Sequence, residues 1–294
     1  MWNSLLPTRA HDLADIRGSG EHAVSVVHCE TGELLGTVDA GAADATVHPG
    51  ATYIHQGRHF RVREYDGVSA LVEPLPRQDV RTQARSETHV HIVGAAKGVT
   101  DPTFFTGPVE VVRQVVGFDR RRIPGGEIIA SHRLEMPQRL LPTVATWWQI
   151  PTEALHAAGL GPAEIAGALH GAEHALISLL PLLAHCDRQD IGGVSIAVHE
   201  QTLQPSIFVY DGAAGGAGFA AHGAKHARHW ARMTRQRVSD CPCREGCPGC
   251  IVSPKCGSGN EPLHKSGAVT VLELMEATMT VLPVPAPSPP PEGP

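Results

Sequence analysis

Five cysteines crowd into sixteen residues, CPCREGCPGCIVSPKC from Cys241 to Cys256, while the rest of the 294-residue chain holds only Cys29 and Cys186. Disulfide bonding and metal binding compete to explain such a cluster. Disulfide frameworks belong mostly to short secreted chains with an even cysteine count spread along the sequence. Here the count is seven, and the opening MWNSLLPTRAHDLADIRG has neither the basic start nor the apolar run of a signal peptide. No stretch approaches the roughly 18 consecutive apolar residues of a transmembrane helix. The expectation is a cytoplasmic chain without membrane contact, whose thiols stay reduced and serve as metal ligands. Cys247 and Cys250 form the C-x2-C knuckle of structural zinc sites, and Cys241 and Cys243 form C-x-C just upstream. Four thiolates around zinc close its tetrahedral shell and leave no position for water. The expected ligands of one structural zinc are therefore Cys241, Cys243, Cys247 and Cys250. Cys256 is the alternate, because a spacing of two is tight for two ligands of one ion. A redox C-x2-C sits on a strand-to-helix turn, which this Pro- and Gly-rich cluster does not resemble.

The pattern of apolar residues predicts an α+β fold. From Ala23 to Pro74 short apolar runs alternate with turn residues at Thr31-Gly32, Gln56-Gly57 and Asp66-Gly67, the spacing of an antiparallel, barrel-like sheet. HVHIVGAA and GPVEVVRQVVGFDRRR continue the β character, with Arg120 to Arg122 expected in a hairpin turn. After Pro151 the pattern turns helical. GPAEIAGALHGAEHALISLLPLLAHC opens with Pro162 near a helix N-terminus and carries apolar residues three and four apart. Two β runs follow, GGVSIAVHE and PSIFVYD, and then a second long helix that delivers the chain to the cysteines. The expected organisation is a β-rich part over 1–150, an α/β zinc-binding domain with two long helices over 151–282, and a Pro-rich disordered tail over 283–294.

Three further stretches carry candidate chemistry. HGAEH, His170 to His174, matches the H-x-x-E-H pattern of the inverted zincin peptidases. There two histidines four apart on one helix face bind zinc, with Glu173 as general base. The ordinary reading is a packed core helix. DGAAGGAGF, Asp211 to Phe219, is a Gly-rich strand-to-helix turn that can cradle a phosphate, although no P-loop lysine follows it. Finally, Lys225, Arg228, Arg232 and Arg235 recur at three-and-four spacing along one helical stripe, with Arg237 beside it. With a net charge of −6 there is no global basic field, so contact with nucleic acid must rest on such a local patch, which holds phosphates without reading sequence.

SIFVYDGAAGGAGFA followed by CPCREGCPGCIVSPKCGSGNEPLHKSGAVTVL resembles the C-terminal zinc-binding region of the mitomycin-repair-factor family, bacterial superfamily 2 DNA helicases related to a fungal RecQ-like repair helicase. DIRGSGEHAVSVV, VHPGATYIHQGRHFRVREYD and RTQARSETHVHI resemble, in order, the segment that follows the motor domains in that family. The likeness spans about residues 12 to 275. It implies an accessory module of an ATP-dependent 3′–5′ DNA helicase. Such a module, a monomer with the motor domains as its partner in cis, carries structural zinc and guides single-stranded DNA. Tyr53, Phe60 and Tyr65 are then candidates for base stacking, beside their use in a core. The family's motor needs a P-loop and an acidic Mg-binding motif. Neither occurs here, so the chain alone is expected neither to hydrolyse ATP nor to unwind DNA. The rival readings are a zinc peptidase built on His170, Glu173 and His174, and a protein-interaction scaffold in which zinc is purely structural.

Overall fold

In β1 (Val24–His28) Val24 and Val26 are buried while Ser25 and Val27 are half-exposed, the period-2 pattern of a strand with one covered face. A computed structural model describes residues 23–94, 97–98 and 103–278. The expected Pro-rich tail over 283–294 lies outside the described residues. β1 pairs antiparallel with β2 (Leu34–Val38) and parallel with β5 (Ser69–Leu75). The sheet then continues antiparallel through β4 (Arg58–Tyr65) to β3 (Thr52–His55). Its turns fall at the expected pairs. Gln56, Gly57 and Gly67 take positive φ, and the Asp66 carboxylate accepts from the N–H groups of Val68 and Ser69. Helix α1 (Ala40–Thr46), capped by Asp39, covers the sheet. The resulting core holds Val24, Val26, Ala43, Val47, Phe60, Val62 and Val72, with Tyr53 and Tyr65 packed against it. Phe60 thus belongs to the core, and Tyr65 spends its hydroxyl on Asp44.

The second sheet is antiparallel throughout. Its strands are β6 (Val80–Ile92), β7 (Lys97–Gly98), β8 (Phe104–Arg122), β9 (Ile128–Arg133), β10 (Gln138–Gln149), β11 (Ile191–Ile196) and β12 (Ser206–Asp211). The spatial order is β11-β12-β10-β8-β6, with β7 and β9 also paired to β8. Arg120, Arg121 and Arg122 are not in a turn, contrary to expectation. They end β8 and pair with β6 and β9. Gly125 and Gly126, both at positive φ, make the turn instead. Because β10 pairs with β12, a single sheet spans residue 150, where the sequence changes character.

The helices pack on this second sheet. α2 (Thr152–Ala157) leads into α3 (Pro162–Ala184), which starts with a proline and has the Glu164 carboxylate accepting from the Gly161 N–H at 2.9 Å. By length and composition α3 alone among the described helices could cross a bilayer, but 67% of its most apolar window is buried inside the protein. Leu169, Leu176 and Leu180 from α3 join Trp148 of β10 and Ile207 of β12 in the main core. The helix expected before the cysteines is broken. α4 (Phe219–Lys225) stops at His226, and α5 (Ala227–Ser239) restarts there. The buried positions 220, 224, 227, 231, 234 and 238 keep helical spacing across the break, which hides it from a periodicity reading. At Gly223 an added Cβ would lie 2.7 Å from Leu180 Cδ1 and 3.0 Å from Trp230 Cζ3, so this glycine lets α4 dock tightly on α3 and on Trp230. The sequence reading also missed α6 (Lys265–Thr278), which buries Ala268, Val271, Leu272 and Met275 against α3 and α5.

Candidate metal centre

Helix α5 runs straight into the cysteines. Its C-cap is Asp240, and Cys241 follows. Cys247 and Cys250 stand on a turn in which the N–H groups of Cys250 and Val252 both donate to the Cys247 carbonyl. Gly246 enters that turn at φ 126° with Ile251 pressed against it. The turn brings four sulphurs together. Cys241 Sγ lies 3.5 Å from Cys247 Sγ and 3.6 Å from Cys243 Sγ; Cys250 Sγ lies 3.5 Å from Cys243 Sγ and 3.8 Å from Cys247 Sγ. A tetrahedral zinc with Zn–S bonds of about 2.3 Å holds its sulphurs about 3.8 Å apart, so the cavity between these four fits zinc. The alternate, Cys256, is not among them. The C-x-C spacing proves long enough, since the Cys241 and Cys243 sulphurs lie 3.6 Å apart.

Two features prepare this site for a cation. Without metal, burial pushes the Cys250 thiol up to about 12, while the Cys243 backbone N–H, followed by the neighbouring thiols, draws Cys241 down to about 7. The centre thus begins partly as thiolate, and zinc binding must displace the rest of the protons. Lys265, at the start of α6, donates from Nζ to the carbonyls of Cys241 and Cys243, both at 2.6 Å. Its ammonium fixes the C-x-C loop and sets a positive charge beside what becomes a doubly negative four-thiolate zinc. Sequence reasoning missed Lys265, since nothing in its local pattern separates it from a solvated lysine.

The basic stripe is redistributed by the break at His226. Lys225 closes α4, and Arg228, Arg232 and Arg237 are exposed on α5. Arg235 is turned inward and pairs with Glu276 of α6 at 3.0 Å. The expected stripe of four on one continuous helix is therefore corrected to three exposed arginines on α5, with Lys225 on the preceding helix.

The H-x-x-E-H segment has a different setting from a peptidase. His170 and His174 lie on one face of α3, with ring centroids 4.3 Å apart. Cys256 places its sulphur 3.3 Å from His170 Nε2, a third donor beside the two histidines where a peptidase needs an open position for water. Glu173 is buried, accepts from Ser195 Oγ at 3.1 Å, and does not face solvent. Burial raises its carboxyl above the usual range.

The Gly-rich loop is also spoken for. Asp211, at the end of β12, accepts from the N–H groups of Ala217 (2.7 Å), Gly218 (2.6 Å) and Ala220 (2.8 Å). The amides that would cradle a phosphate are thus filled by the protein's own carboxylate.

With this geometry in hand, the comparisons are specific. The profile of the MrfA Zn-binding domain matches residues 172–251, a span that contains all four clustered sulphurs and stops short of Cys256. An archaeal protein, MJ1572.1 of Methanocaldococcus jannaschii, is 36% identical over 108 residues, which is 36% of this chain and 96% of its own length. The ATP-dependent helicase YprA of Bacillus subtilis is 27% identical over 222 residues, 74% of this chain and 29% of the helicase. Among solved structures, the DUF1998 helicase MrfA bound to DNA superposes with a TM-score of 0.62 at 24% identity. That match covers 92% of this chain and 36% of MrfA, and it establishes a shared fold. The chain spans less than a third of the length of its helicase relative YprA. It belongs to the family of the MrfA zinc-binding domain, the C-terminal zinc-binding region of the mitomycin-repair-factor helicases.

Proposed function

We propose that this chain is the accessory module of a DNA helicase of that family: zinc fixes the end of α5, and the exposed arginines of α5 hold the phosphates of a single strand beside the motor. The observation that carries this reading is the junction at Asp240. The helix bearing Arg228, Arg232 and Arg237 ends directly in the four-cysteine centre, so zinc sets the orientation of the basic face. Arg228 and Arg232, one turn apart, share a face and contact neighbouring phosphates without reading bases, and Arg237, about half a circuit round the helix and beside Gly249 of the knuckle, meets the strand at the zinc end. The module works inside a reducing compartment and carries no ATP site of its own.

The test is a salt titration of single-stranded DNA binding. Each phosphate neutralised contributes a log–log slope of about −0.7 on single strands, so three contacts give about −2. Because the net charge of −6 opposes approach at long range, binding should be weak and best seen at low salt. Replacing Arg228 and Arg232 together with Ala should shrink the slope to about −0.7 and weaken all sequences alike, with zinc content unchanged. Wild-type affinity in that double variant would reduce the face to a solvated one. The search would then move to the β8 arginines, beginning with Arg120, which lines a groove between the two sheets with Arg61 and His132.

A further inference from the structure

The second cluster of metal-ligating side chains lies outside the four-cysteine centre and outside the segment matched by the zinc-domain profile at its Cys256 and His170 members. His170 and His174 project from α3, and Cys256 comes from the loop that follows the zinc knuckle. One nitrogen from each ring and the sulphur all lie within 4.8 Å of one another. We propose that His170, His174 and Cys256 form a second zinc site, which clasps α3 to the 253–262 loop.

The hydrogen inventory carries the argument. His170 Nδ1 lies 2.8 Å from the Pro262 carbonyl oxygen, and His174 Nδ1 lies 2.7 Å from that of Ile251. A carbonyl only accepts, so each Nδ1 carries a proton, and in the neutral rings that bind a metal each Nε2 keeps its lone pair. Both Nε2 atoms then turn toward one thiol, and a single S–H can satisfy only one of them. A cation satisfies all three donor atoms at once. Tetrahedral zinc, with bonds of about 2.3 Å to sulphur and 2.0–2.1 Å to nitrogen, sets the two about 3.5 Å apart. The Cys256 Sγ to His170 Nε2 distance is 3.3 Å. Ring nitrogens whose far N–H is held by a backbone carbonyl are the usual outer support of a metal-bound histidine.

The loop is also built to present the sulphur. Asn260, at φ 69°, receives the Ser253 N–H on its side-chain oxygen at 2.7 Å and returns a bond to the Ser253 carbonyl at 2.9 Å. Its own N–H points to Cys256 Sγ at 3.2 Å. On the helix side, a Cβ on Gly167 would lie 3.2 Å from the backbone of Leu263 and His264. A side chain there would press the loop outward by a few tenths of an ångström, so the glycine favours the close approach that brings the loop to α3. Zinc prefers this mixture of imidazole and thiolate over the hard cations.

The full chain, purified without chelator, should contain about two zinc ions per molecule, the four-cysteine site accounting for one. Cys256→Ser and His170→Gln should each lower the content to about one while keeping the folded circular-dichroism spectrum. If either variant fails to fold, cobalt(II) titration of the metal-stripped wild-type chain gives the same answer. Two spectrally distinct equivalents should bind, one with a thiolate-to-cobalt band far weaker than the other, since it holds one sulphur against four. Saturation at a single equivalent, or wild-type zinc content in Cys256→Ser, overturns the proposal and leaves Cys256 as a hydrogen-bonded thiol. None of these readouts involves DNA, so they stand apart from the accessory-module reading.

Discussion

Cys250 shows how much one residue can carry. It is the most buried of the four clustered cysteines, and its side chain packs in the main core beside Ile251. Zinc at such a site contributes folding free energy directly, on the order of 10 kcal/mol at neutral pH in small zinc peptides. Cys250→Ser should therefore release zinc and loosen residues 241–264, seen as loss of one zinc in elemental analysis and as new protease cuts in that stretch. Unchanged zinc and unchanged melting would remove the four-cysteine centre from the account. That these four sulphurs gather was expected from sequence, because a C-x2-C with a nearby C-x-C points to one centre, although spacing alone kept Cys256 as an alternate. The placement of Cys256 was not. It depends on a loop closed by Asn260 and on a helix 86 residues earlier in the chain, and no local spacing encodes that meeting.

At the scale of elements, the strands and turns of the first sheet could be read because apolar alternation and Gly turns are local signals. The parallel β1–β5 pairing could not, since it joins segments about forty residues apart through no turn. The loop from Asp211 to α4 is the instructive junction. A Gly-rich turn after a strand suggests phosphate binding, but which group fills its amides is decided by the side chain that the strand's last residue aims back at them. Asp211→Ala strips the acceptor from three N–H groups at once. At about 1 kcal/mol or more per bond the variant should lose roughly 3 kcal/mol in denaturant unfolding, whereas Asp211→Asn, which keeps one acceptor oxygen, should lose less. With the amides filled, calorimetric titration of the wild-type chain with ATP should give no heat of binding. Micromolar binding would reopen the loop as a nucleotide site and revise the view that the module depends on a separate motor.

Across the whole molecule, the two sheets keep separate cores. The first is gathered around Phe60 and Val72; the second runs from Trp148 through α3 to the zinc knuckle. An ion pair with a buried carboxylate and a partly exposed guanidinium joins them. Arg139 of β10 places Nε 2.7 Å from Asp44 Oδ2 and its other nitrogen 3.0 Å from Oδ1, a two-pronged grip on the carboxylate of α1. Tyr65 completes the triad at 2.9 Å from Asp44, its hydroxyl held at about 12 by burial and then by the neighbouring carboxylate. No composition or periodicity argument finds this contact, because Asp44 and Arg139 each sit in segments that look ordinary. Removing Arg139 strands the buried Asp44 carboxylate, and with the arginine one-third exposed the cost falls between that of a surface pair and that of a buried one, about 1–3 kcal/mol. Arg139→Met keeps an unbranched apolar stem and removes the guanidinium, with its charge and its hydrogen bonds to Asp44. Hydrogen exchange in that variant should quicken in β4, β5 and α1, while the β8–β10 ladder and the zinc content stay as in wild type. Equal acceleration in both sheets would mean that the molecule unfolds as one unit and that the pair is incidental to how its halves are joined.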